Sequence, residues 1–167
     1  MPNQIRRLAA IDLGTNSFHL VIADVKSNGK FTVVGKDKEG VRLGEGMTDM
    51  KHLSEDACDR ALDTLRRFSL LAQSHDAPIR AIATSAVREA LNRDALVQRV
   101  RDELGLEIEV VSGFEEARLI YLGVLQALPV YNKRALLVDI GGGSTEFLLG
   151  ERGGVQYANS LKLGAVR

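Results

Sequence analysis

Two short apolar runs, Leu8 to Leu13 and Phe18 to Val25, flank the small polar stretch Gly14-Thr15-Asn16-Ser17, which predicts two strands joined by a tight turn. Phe31 to Gly35 and Gly40 to Leu43 predict further strands that extend the same sheet, antiparallel at its start. The period then changes. Ser54 stands before Glu55 and Asp56, and Ala57, Ala61, Leu62, Leu65, Phe68 and Ala72 recur mostly at steps of three and four, predicting a capped helix with one buried face. Ile79 to Ala83 reads as a strand, Asp94 to Leu104 as a helix closed by Gly105, and Ile108 to Val111 as another strand. Ser112 and Glu115 have capping-box spacing for a helix running to about Leu128, where Pro129 breaks it. Strands alternating with helices predict an α/β fold.

The first hairpin is written twice. Ile11-Asp12-Leu13-Gly14-Thr15-Asn16-Ser17-Phe18 returns as Val138-Asp139-Ile140-Gly141-Gly142-Gly143-Ser144-Thr145, an offset of 127 residues (139 minus 12). Gly29 to Val33 has a counterpart in Gly154 to Ala158, and Leu43-Gly44 has a looser one in Leu163-Gly164. The expected organisation is a first domain over 1–130 and the opening sheet of a duplicated second domain over 131–167, so that the sequence reads as a fragment. Exposed sheet edges in such a piece would invite pairing with another copy as a homodimer.

Each turn offers backbone N–H groups and hydroxyls in a small space, from Gly14, Thr15, Asn16 and Ser17 in one copy and from Gly141, Gly142, Gly143, Ser144 and Thr145 in the other. Phosphate oxygens suit such a receptacle, and two turns facing each other would grip a phosphate chain from both sides. Three consecutive glycines are entropically costly, so either positive φ angles or a close backbone approach is expected there. The spacing and lysine of a Walker loop are missing, and an apolar run after Thr145 and Glu146 rules out a dinucleotide fingerprint.

Composition narrows the class. The 167 residues are 45% hydrophobic and 26% charged, with 22 basic against 22 acidic residues, a globular balance that disfavours bulk electrostatic binding to nucleic acid. A single cysteine, Cys58, falls within a helical apolar pattern and forms no internal disulfide. Asp12 interrupts the first apolar run before it could serve as a signal or membrane segment, and the expectation is a soluble cytoplasmic protein with no membrane partner.

Asp12, Asp139 and Glu146 put carboxylates beside the candidate phosphate turns. Each would repel a phosphate by about 1 kcal/mol at roughly 4 Å even in bulk water. Mg2+ held by one or two carboxylates and several waters removes that conflict. The plainer reading is that an aspartate at a strand end caps a turn. His19 matches Glu146 in the first copy and reads as a packed or surface strand residue. Glu115 and Glu116 both lie in the first turn of their helix, and the residues alone do not separate a catalytic base from a carboxylate that complements the dipole. Arg88, like Arg66, Arg67, Arg93, Arg99 and Arg101, reads by itself as a solvated group.

The two turn motifs, with Thr84-Ser85-Ala86-Val87-Arg88-Glu89-Ala90 and Val111-Ser112-Gly113-Phe114-Glu115-Glu116-Ala117-Arg118, resemble the exopolyphosphatase and guanosine pentaphosphate phosphatase family over essentially the whole chain. The resemblance implies an actin-like ATPase (ribonuclease H-like) fold of duplicated domains flanking a phosphate-binding cleft. It implies Mg2+-dependent hydrolysis, in the cytoplasm, of the terminal phosphoryl of inorganic polyphosphate or the 5'-terminal phosphate of guanosine pentaphosphate. It further implies Glu116 as the water-activating base, Arg88 as a phosphate contact, and Asp139 and Glu146 as the metal contacts. The alternative is a protein that binds polyphosphate or an alarmone without cleaving it.

Overall fold

A computed structural model of the chain describes residues 5–45 and 51–167, which divide into two compact units at Val110/Val111. Among the described residues no helix is long and apolar enough to cross a membrane.

The first unit is built on β1 (Ile5–Leu13), β2 (Phe18–Lys26), β3 (Phe31–Glu39), α1 (Glu55–Ser74), β4 (Ile79–Ala83), α2 (Ser85–Glu89), α3 (Arg93–Leu104) and β5 (Ile108–Val110). Its sheet has the order β3-β2-β1-β4-β5, antiparallel among the first three strands and parallel from β1 to β4 to β5. Alternation along β1 and β2 sends Ala9, Ile11, Leu13, Phe18, Leu20 and Ile22 to one face, where they join Leu62, Leu65 and Phe68 of α1 in a buried core. Ser54 caps α1 by accepting the Ala57 N–H at 3.2 Å, and Gly105 ends α3 in the left-handed region with φ 62°. Cys58 packs in this core, and burial pushes its thiol pKa up, as expected of an inert apolar position.

One expected strand is absent. Gly40 to Leu43 pairs with no strand; it folds back so that the Arg42 N–H donates to the Asn16 carbonyl at 2.8 Å, while Val41 and Leu43 enter the core. Two buried residues at alternate positions look like a strand in sequence, but the backbone bonds go to a turn.

The second unit contains α4 (Gly113–Ala127), β6 (Arg134–Ile140), β7 (Thr145–Glu151) and β8 (Gly154–Leu161), the strands forming one antiparallel sheet in that order. Helix α4 lays Ala117 and Tyr121 on Leu148, with Leu137, Val155 and Ala158 around them. Tyr121 fits because the residue beneath it is Gly150, where a Cβ would stand 2.4 Å from the ring. The repeat begins at β6, yet α4 packs on β7 and β8, which is why the compact unit starts before the 130/131 boundary expected from the repeat.

Candidate functional site

In the first unit, Asp12 and His19 are register partners, as are Leu13 and Phe18, so Gly14 to Ser17 closes the hairpin. The closure is tight: a Cβ on Gly14 would lie 2.8 Å from the Ser17 carbonyl oxygen. The Ser17 hydroxyl and His19 Nε2 are 3.0 Å apart, which engages His19 as a turn residue. Because β1 and β4 run parallel with Leu13 beside Ala83, the residues after β4 emerge beside this turn. Thr84 fastens them there, its N–H and hydroxyl both donating to the Leu13 carbonyl at 3.3 Å. Helix α2 follows at once and carries the half-buried Arg88 at the same end of the sheet as Gly14, Thr15, Asn16 and Ser17.

The second unit repeats the hairpin. Asp139 pairs with Glu146 and Ile140 with Thr145, and a Cβ on Gly141 would stand 3.1 Å from the Ser144 carbonyl oxygen. Gly14, Gly141, Gly142 and Gly143 do not adopt positive φ, and close approach accounts for Gly14 and Gly141. Register partners share a face. Asp139 and Glu146 therefore lie on the same side as Leu137 and Leu148, the side that α4 covers. Glu146 is 3% exposed, and the Ser160 hydroxyl donates to its Oε1 at 2.7 Å. Ser160 in turn lies under Gly113, where a Cβ would be 2.4 Å from the serine Cβ. The first turn of α4, with Glu116, is thus seated next to the buried Glu146.

Both helix glutamates cap on Ser112 through their backbone N–H groups, and one of the two carboxylates is held by an arginine. Ser112 accepts the Glu115 N–H at 3.1 Å, completing half of the expected capping box. The Glu115 carboxylate, instead of reaching back to Ser112, takes two donors from Arg118 at 2.7 Å each, and this pairing holds its pKa below the usual carboxylate range. Glu116 N–H donates to the Ser112 carbonyl, and its side chain is half-buried.

Thr145 has a backbone partner across the unit. Its hydroxyl donates to the Leu163 carbonyl at 2.6 Å, which engages that proton with the protein backbone. Ser160 and the segment from Leu163 onward are site neighbours that sequence reasoning misses; only the loose Leu-Gly echo hints at the last. A pocket of about 660 Å³ in the first unit, lined by residues including Ser69, Gln73, Arg80, Leu104 and Glu109, contains none of the candidate residues.

The donor set suits Mg2+, a hard cation that accepts one or two carboxylates and keeps several waters. Asp139 and Glu146 supply two carboxylates at paired positions, one buried and one exposed. No group of three or more His, Cys, Asp or Glu among the described residues forms an all-protein cage.

Residues 21–167 match the model of the Ppx/GppA phosphatase family. The chain belongs to that family. It is 42% identical over 160 residues to guanosine-5'-triphosphate,3'-diphosphate pyrophosphatase of Photobacterium profundum, covering 95% of this chain and 32% of that protein. It superposes on an exopolyphosphatase from Cytophaga hutchinsonii with a TM-score of 0.90 and 39% identity, over 95% of this chain and 51% of the other. MreB5 of Spiroplasma citri, at 20% identity, TM-score 0.51 and coverage of 95% and 53%, shows the actin-like ATPase fold alone. This Ppx/GppA chain spans about a third of the length of the first relative and half that of the second.

Proposed function

We propose that this chain carries phosphate-binding and water-activating groups of a phosphohydrolase acting on phosphoanhydrides, namely the terminal phosphoryl of inorganic polyphosphate or the 5'-terminal phosphate of guanosine pentaphosphate. The observation that carries the reading is the grouping within the second unit of a glycine turn, the Asp139/Glu146 pair and the first turn of α4. Phosphoryl transfer to water needs a positioned water, a group to take its proton, and positive or dipolar partners for the phosphoryl oxygens. Glu116 is the base: the helix N-terminus favours the ionised carboxylate that accepts a proton, and the family motif over residues 111–118 supports this position. Arg88 offers a fork of donors to phosphate oxygens. Asp139 and Glu146, with Asp12 as a further candidate, would hold Mg2+, which when bound neutralises charge on the phosphates. The reading carries a cytoplasmic setting.

Glu116→Gln in the intact gene product tests the base. Phosphate release from polyphosphate and from guanosine pentaphosphate is expected to fall by about a hundred- to ten-thousand-fold, with substrate binding retained. Turnover at the parental rate would remove Glu116 from the mechanism, and binding without hydrolysis in the parent would favour the non-catalytic binder.

A further inference from the structure

The segment from Leu163 to Arg167 is bonded to the glycine turn along its length. Ala165 N–H donates to the Gly141 carbonyl at 3.0 Å, Val166 N–H to the Gly142 carbonyl at 3.0 Å, and the Arg167 guanidinium to the Gly143 carbonyl at 2.9 Å. Thr145 ties the start of the segment through its bond to the Leu163 carbonyl. Approach this close demands glycine on the strap side too: a Cβ on Gly164 would sit 2.1 Å from the Gly142 carbonyl oxygen.

Peptide planarity turns these bonds into an orientation. In a trans peptide the C=O of one residue and the N–H of the next point in opposite directions. Holding the carbonyls of Gly141, Gly142 and Gly143 toward the strap therefore directs the N–H groups of Gly142, Gly143 and Ser144 away from it. None of the three has an acceptor among the described residues, although Gly143 and Ser144 are buried. A backbone N–H that no protein acceptor takes is open to an external one. The first copy carries the same device in a different sequence: Gly44 N–H donates to the Thr15 carbonyl at 3.1 Å and Arg42 N–H to the Asn16 carbonyl at 2.8 Å, at the positions that match Gly142 and Gly143.

We propose that Leu163–Arg167 is a positioning strap that aims the N–H groups of the Gly141–Ser144 turn at a phosphate, with Gly164 as the residue on which its seating depends. This rests on the phosphohydrolase reading above and adds to it residues that touch no substrate. Gly164→Ala displaces the strap, and the milder Thr145→Val removes one tether while keeping volume. In the intact gene product, KM for polyphosphate is expected to rise at least tenfold in the first variant and severalfold in the second, with kcat changing by less than KM. Amide NMR with tripolyphosphate as probe separates the two claims. The Gly142, Gly143 and Ser144 signals should shift in the parent, and the midpoint of that shift should move to higher concentration in both variants. A parent in which these amides do not respond overturns the phosphate reading of the turn and the strap with it. A parent that responds, with Thr145→Val and a folded Gly164→Ala titrating at the parental midpoint, overturns the strap alone; if Gly164→Ala does not fold, Thr145→Val decides.

Discussion

The two hairpins are built to one plan and finished differently. At an offset of 127 residues (139 minus 12) they share the aspartate at the strand end, the glycine that closes on a serine carbonyl, and a register shift in the third strand's pairing, between Ile22 and Ala23 in one copy and between Leu149 and Gly150 in the other. They also share a cross-strand ion pair, Arg7 with Asp24 and Arg134 with Glu151. The faces diverge. Ala9, Ile11 and Leu13 are at most 1% exposed in the same core as α1, whereas the matching Leu136, Val138 and Ile140 are 69%, 49% and 71% exposed. The position facing the aspartate diverges as well: His19 is spent on Ser17, while Glu146 is buried under Ser160. A repeated local pattern reproduces backbone geometry, while within these 167 residues α1 covers one face of the first hairpin and α4 covers the opposite face of the second.

Truncating the matched pair Leu13 and Ile140 gives the widest expected contrast. In the 167-residue chain itself, Leu13→Ala opens a cavity in a closed core and should cost about 2–5 kcal/mol, whereas Ile140→Ala should stay within about 0.5 kcal/mol. Urea midpoints measure both, and equal losses would mean that Ile140 is covered in solution.

Gly150 and Ala23 occupy matched positions beside the register shift. Gly150→Ala drives a methyl into Tyr121 and should destabilise by about 1–3 kcal/mol, while Ala23→Gly should cost only about 0.5–1 kcal/mol through backbone entropy. Thermal melts of the two variants test the seating of α4, and a neutral Gly150→Ala would show that Tyr121 moves aside freely.

The smallest effect concerns the repeated ion pair. Hydrogen bonding and attraction from Arg7 lower the Asp24 pKa, so its contribution is present above the unfolded carboxylate pKa and is lost as pH falls through the folded value. Between about pH 5 and about pH 2.5 the urea midpoint of Arg7→Met should therefore fall less than that of the parent. Arg134→Met should alter the acid limb less, since its pair is longer, 3.4 Å against 2.7 Å, and its arginine more exposed. Identical acid limbs for the parent and Arg7→Met would remove this pair from the pH dependence.

Much of the fold is legible in the sequence because it rests on local rules. The stripe from Ala57 to Ala72, the caps at Ser54, Ser112 and Gly105, and the alternation along β1 and β2 each recur in the structure as periodicity and capping chemistry require. Gly40 to Leu43 misleads because alternation reports burial and says nothing of which backbone groups are paired. The site is legible as a set of residues but not as a set of bonds. Sequence alone does not show that the Glu115 carboxylate is taken up by Arg118, one turn onward; that bond appears only in the structure.

By itself the sequence determined the duplicated strand-turn-strand, the helices and their caps, and the residue types able to meet phosphate and a hard cation, because each depends on neighbours within a few positions. Tertiary structure alone decided that Thr145 holds the strap, that Ser160 and Gly113 join Glu146 to the start of α4, and that Gly164 rests on Gly142. Those contacts join residues well apart in the chain, and no local pattern encodes a distance across that span.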